Sequence, residues 1–216
     1  MSHYVVTIER MIACAGLLIG RRVAEVLHVP CLDQEILSRA AKQLQQDEQQ
    51  LTGRDERLLS FGQKLLAAFS AGSPDTEYVL PPFPFPEDDD LFAVEKQVIL
   101  DAVKGSGAVI IGHGGASILK DFPEAVRVFC HAPLAYRARR LMNLYQISDE
   151  REARRSVEEQ DRARERYLKE VTGRHWKDMD QYDLCIDTST VTAETAVELI
   201  VSLARQKLTG ASGTQV

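Results

Sequence analysis

Four short apolar runs constrain this chain more than any other feature. They are "YVVTI" (4–8), "AVIIG" (108–112), "VRVFCHA" (126–132) and "YDLCIDTS" (182–189), and each leads into a stretch with helical periodicity. The stretch 17–29 carries Leu18, Ile19, Val23, Val26 and Leu27 at helical spacing. The "LFAVEKQVILDAVKGSG" segment (91–107) reads as a helix ended by glycine. The "HGGASIL" segment reads as a turn into a short helix, and "PLAYRARRLMNLY" as a helix with proline at its start. Residues 149–171 form a long, charged helix, and "TAETAVELIVSLARQKL" a final one, with Thr190 or Thr192 as its cap. Continuous apolar strands alternating with helices imply a parallel sheet covered on both faces, a three-layer α/β fold. Ligands of such sheets bind beyond the carboxyl ends of the strands. That selects the turns at 9–16, 112–115, 131–133 and 187–190.

Between the first strand and "AVIIG" the pattern changes. Asp33 is placed to cap a helix beginning "DQEILSRAAKQLQQ", and 51–71 reads as another amphipathic helix. The segment 72–90, rich in proline and acid, reads as an irregular loop. The net charge of -6 argues against sequence-independent nucleic-acid binding, which needs a basic surface. No window approaches the roughly 20 apolar residues of a membrane span. The N-terminus lacks the layout of a signal peptide, so a cytoplasmic protein is expected. The cysteines Cys14, Cys31, Cys130 and Cys185 form no CxxC or His/Cys cluster, so no protein metal site is expected. Cys130 and Cys185 lie in apolar runs and read as buried thiols, and Cys14 reads as an incidental small residue.

The turn after the first strand, "IERMIACAGLLIGRR", holds Ala13, Cys14, Ala15 and Gly16 where a phosphate-binding loop would lie. Such a loop works because glycines let consecutive N–H groups face the phosphates. Alanine resists positive φ. A loop lysine and a Ser/Thr hydroxyl for Mg²⁺ are also usual. Gly16, Leu17 and Leu18 supply neither. A register running from Ala15 to Gly20, Arg21 and Arg22 would push the loop a turn into the helix. Arg10 lies before the helix and is better placed to swing toward a phosphate. Within "EEQDRARERY", Arg162 and Arg166 share a helix face while Arg164 points elsewhere. By spacing alone this cluster reads as a solvated face, although arginine is also the natural clamp for a transferring phosphoryl group. His113, in a glycine turn, could donate to a phosphate or base, but on its own such a histidine reads first as a polar surface group. Asp187 and Thr188 end the last strand.

Taken together, "VVTIERMIACAGLLIGRRVAEVLHVPCLDQEILSRAA", "AVIIGHGGASIL", "VRVFCHAPLAYRARRLM", "EEQDRARERYLKEVTGRHW" and "YDLCIDTSTVTAETAVELI" resemble, in order, the cytidylate kinase-like family of P-loop proteins. The resemblance implies a P-loop nucleotide kinase-like core at 1–42 and 91–208, with an arginine-rich lid at about 149–178. It also implies a variable helical insert with the Pro/acidic loop at 43–90, leaving 209–216 as a disordered tail. It implies that Asp33 and Arg39 hold the acceptor, Arg39 on its phosphate, and that His113 replaces an arginine there, giving a weaker or pH-dependent contact. The lid residues Asp161, Arg162, Arg164 and Arg166 would then act at the phosphates. Asp187 and Thr188 would lie near the donor base.

Three functions follow. The first is phosphoryl transfer from ATP, with Mg²⁺, to a nucleoside monophosphate or similar small acceptor. The second is an impaired relative that binds a nucleotide or other small phosphorylated ligand as a sensor or partner. The third, ranked lowest, is an interaction protein whose arginines merely solvate a helix.

Overall fold

The computed structural model describes residues 3–33 and 89–210. The helices expected from Asp33 onward and at 51–71, the loop up to residue 88, and Arg39 lie outside the described residues, as does 211–216.

Five parallel strands make one sheet in the order β2-β3-β1-β4-β5. They are β1 (Val5–Arg10), β2 (Cys31–Leu32), β3 (Ala108–Ile111), β4 (Ala125–His131) and β5 (Leu184–Asp187). The four expected strands are present. The fifth, β2, is two residues long, too short to show in an apolar pattern. Central β1 pairs Val5 to Ile8 with Ala108 to Ile111 on one side, and Val5 to Arg10 with Ala125 to Cys130 on the other. Its C-terminal end therefore lies where the strand order reverses, the position in which open α/β sheets bind ligands.

The helices are α1 (Gly16–Leu27), α2 (Asp89–Ser106), α3 (Gly115–Ile118), α4 (Leu134–Tyr145), α5 (Glu150–Thr172) and α6 (Ala193–Gly210), with a 3₁₀ turn at Met179–Gln181. On one face, Ile19 and Val23 of α1 and Ala196 and Ile200 of α6 pack on Val6, Ile8, Val109 and Val128. On the other, Val98, Ile99 and Val103 of α2 pack on Val5, Ala108 and Ile110. Alternate strand residues thus feed opposite cores, as strands buried on both faces require.

The caps explain where helices stop. Asp149 accepts the Arg151 N–H at 2.8 Å to open α5, and Gly173 closes it at φ 70. Thr192, one of the two expected caps, accepts the Thr195 N–H at 3.2 Å. Two helix ends differ from expectation by the usual residue or two. Helix α2 begins at Asp89 rather than 91, and α6 runs through Gly210, past the 208 boundary. One cysteine reading is corrected. Cys130 is buried, but Cys185 is exposed, because β5 is an edge strand with one flank uncovered.

Candidate phosphate-binding site

The turn after β1 holds two left-handed residues although its sequence is ill suited to that backbone. Ala13 and Ala15 both adopt left-handed backbone, at φ 59 and φ 63. For alanine that conformation costs about 1–2 kcal/mol per residue, so something outside the turn must hold it. Ala15 is the N-cap of α1 and makes no side-chain cap bond. The first amides of α1, which have no intrahelical acceptor, are thus not capped by its side chain.

The holding groups come from α4 and α5. Asp161 accepts the Ile12 N–H at 3.0 Å, and Arg137 donates to the Ile12 carbonyl at 3.2 Å. The two side chains join each other at 2.7 Å, and Arg137 also donates to Ala132 O at 2.8 Å. Both are buried. Ile12 and Ala13 pack against Ala138, Leu141, Ala153 and Val157 of the same helices. On the sheet side, the Met11 N–H donates to Cys130 O, and so does the Cys14 thiol, at 3.4 Å. Cys14 is fully buried, consistent with a packed small residue.

Helix α5 sorts its arginines by face. Ala153, Val157, Asp161, Arg164 and Leu168 recur at three- and four-residue spacing and make the inward stripe. Arg164 donates to Arg10 O at 2.6 Å. Burial and the neighbouring Arg10 guanidinium pull Arg164 down to about 10, so it stays charged at neutral pH. Arg162, whose side chain is 67% exposed, pairs with Glu158 at 3.8 Å, and Arg166 is also exposed. Of the four expected lid residues, one meets the loop as a cation, one braces it as a carboxylate, and two face solvent.

Arg10 folds over Gly16. A side chain there would meet Arg10 Cβ at 2.8 Å and Cδ at 2.9 Å, so only glycine admits the arginine. Its guanidinium lies 3.7 Å from Asp33. Asp33 in turn lies 4.0 Å from His113 Nε2, while His113 Nδ1 meets Glu95 at 3.2 Å. Tyr167 donates to the other Glu95 oxygen at 2.9 Å. His113 is itself left-handed, at φ 58. Burial would pull its pKa down, but the charge and hydrogen bond of Glu95, with Asp33 behind, outweigh that and raise it above 6.5. Arg10, Asp33 and His113 are therefore brought together.

Glu9, at the end of β1, is 2% exposed, and neither carboxylate oxygen has a hydrogen-bond partner among the described residues. Burial raises its pKa against the pull of Arg164, Arg10 and His113. The Gly115 N–H adds little because it is already donated to Gly112 O. Asp187 and Thr188 lie two strands away from β1 and are engaged locally. Asp187 accepts from the Ser189 N–H at 2.9 Å and hydroxyl at 2.6 Å, and Thr188 binds His131 O through N–H and hydroxyl.

Sequence reasoning missed Glu9, Glu95 and Arg137. Each nonetheless breaks an apolar pattern at a buried position. Glu9 follows Val5 and Thr7 on one strand face. Glu95 precedes Val98 and Ile99 at helical spacing, and Arg137 sits among Leu134, Ala138 and Leu141.

The residues present fit a phosphate. Two guanidinium groups, a left-handed loop and a helix N-terminus converge. They do not supply the side-chain hydroxyl that holds Mg²⁺ at such a loop, because Leu17 and Leu18 carry no side-chain oxygen. Among the described residues no helix is long and apolar enough to cross a membrane.

The Cytidylate kinase-like family model matches residues 5–190. An uncharacterized protein from Eubacterium ventriosum ATCC 27560 has a similar crystal structure, at a TM-score of 0.68 and 20% identity, over 94% of this chain and 99% of that one. A gluconokinase from Sinorhizobium meliloti 1021 is more distant, at a TM-score of 0.49 and 12% identity, over 97% of this chain and 94% of that one. No curated protein matches the sequence significantly.

Proposed function

The chain belongs to the cytidylate kinase-like family, and from that premise we propose that the turn after β1 binds the phosphates of a nucleotide. The reaction this reading assigns is transfer of the γ-phosphoryl of ATP to a nucleoside monophosphate or a similar small acceptor. The observation that carries it is the convergence of Arg10 and Arg164 on a loop whose Ala13 and Ala15 keep left-handed backbone.

Phosphoryl transfer draws its rate from positioning and charge stabilisation rather than covalent chemistry. Two adjacent guanidiniums repel each other, and a phosphate between them relieves that repulsion while accepting two forked, charge-assisted bonds. In this reading Arg10 and Arg164 supply the charge that a loop lysine would. Asp33 orients Arg10, and Asp33 with His113 forms the wall toward the acceptor. Arg162 and Arg166 add only long-range field.

A second reading has its own observation. The missing hydroxyl at Leu17 and Leu18 favours a relative that binds a nucleotide or other phosphorylated ligand but transfers poorly, because groups of this kind are worth a thousandfold or more in rate. The same experiment separates the two. ATP binding and phosphoryl transfer to a panel of monophosphates are measured with and without Mg²⁺. Binding with turnover supports the first reading, and binding without turnover the second. The absence of any nucleotide effect on binding or melting temperature overturns both.

A further inference from the structure

Residue 12 of the phosphate loop is held at both its N–H and its carbonyl by one buried ion pair. Asp161 takes the Ile12 N–H and Arg137 gives to the Ile12 carbonyl, while the two side chains bond to each other. Their carriers are different helices, α4 and α5, and α5 also brings Arg164 to Arg10 O. Each carboxylate oxygen of Asp161 is engaged by one of these contacts.

We infer that Arg137 and Asp161 are positioning residues. They hold the alanine loop in its left-handed, anion-binding shape, the work that glycine's backbone freedom does in an ordinary phosphate loop. The inference rests on the reading that this loop binds phosphate, and it deepens that reading in two ways. It explains how Ala13 and Ala15 persist at positive φ. It also makes the helix of the expected lid a fixed support of the loop. The loop's shape is then conditional on the seating of α5, and Arg164 arrives with the same helix.

The test compares the full-length protein with Arg137→Met/Asp161→Leu, which replaces the buried pair by apolar groups of similar size. Such exchanges often leave global stability intact, while here both bonds to Ile12 are lost. Two readouts are taken: amide hydrogen exchange over residues 12–16 without ligand, and binding of inorganic pyrophosphate by calorimetry. The expected result is at least tenfold faster exchange at Ile12 and at least tenfold weaker pyrophosphate binding. Adding Ala13→Gly and Ala15→Gly to that background should restore at least threefold of the affinity, which a merely structural pair would not produce. If the double variant does not fold, Asp161→Ala, which removes the acceptor of the Ile12 N–H, carries the same measurements. Failure of the wild type to bind pyrophosphate would count against the functional reading, and the exchange arm would still decide this one. Loop exchange unchanged from wild type overturns the inference.

Discussion

Replacing Arg164 by alanine should separate the working arginine from its neighbours. Its guanidinium donates to Arg10 O at 2.6 Å on the inward face of α5, whereas the Arg162 side chain is 67% exposed and pairs with Glu158 on the helix surface. Although pulled to about 10 by burial and Arg10, Arg164 is protonated at pH 7. A charge-assisted bond from such a group to phosphate is worth about 1.5–3 kcal/mol. Its loss should weaken ATP binding roughly 10- to 150-fold at 1.4 kcal/mol per decade. An exposed arginine contributes at most about 1 kcal/mol, or roughly fivefold. Isothermal titration of ATP into Arg164→Ala, Arg162→Ala and Arg166→Ala measures the three side by side. Arg164→Lys, which keeps the charge but loses the fork, should fall between wild type and alanine. An Arg164→Ala protein that binds within threefold of wild type while Arg162→Ala or Arg166→Ala loses more would refute the assignment of faces.

Two other perturbations have signs fixed by the structure. Gly105, near the end of α2, has nothing within 4 Å of a would-be Cβ, so Gly105→Ala should stabilise by up to about 1 kcal/mol. Two residues on, Gly107 is at φ +73 with Tyr4 O only 2.3 Å from that Cβ, so Gly107→Ala should cost at least about 2 kcal/mol, or roughly 4–8 °C in a melting scan. Equal melting temperatures for the two variants would contradict this. The folded pKa of His113 is raised, so its contribution to stability is fully present below about pH 6.5 and is lost as pH rises through the folded value. The raised Glu9 pKa acts with the same sign from a lower pH, beginning near its ordinary value of 4.5. His113→Gln should flatten the decline of denaturant-measured stability above pH 6.5, and an unchanged slope would remove His113 from the account.

The architecture was legible because each long strand carries a continuous apolar run that only a sheet covered on both faces can bury. Strand order was not, since it depends on which crossover passes over β1, and β2 is too short to register. Cys185 misled because an apolar run does not reveal which strand lies at the edge. At the site, the turn after β1 and the place of Arg10 just before the helix were readable. The left-handed alanines were not, because the sequence reports what alanine prefers and not what Arg137 and Asp161 impose on it. The inward stripe of α5 was within reach, as Ala153, Val157 and Leu168 define the face on which Asp161 and Arg164 also fall. Glu9 was hidden because it follows the apolar run of β1 and stands beside Arg10, where charge reads as the end of the strand.

The central claim is that a loop lacking lysine and hydroxyl still binds nucleotide phosphate through Arg10 and Arg164. Calorimetric titration of ATP into the wild-type protein, with and without Mg²⁺, tests it most directly. The account predicts saturable binding with a Kd below about 1 mM, equivalent to at least about 4 kcal/mol, changing less than threefold when Mg²⁺ is removed. No binding at several millimolar ATP, or binding that disappears without Mg²⁺, would contradict it.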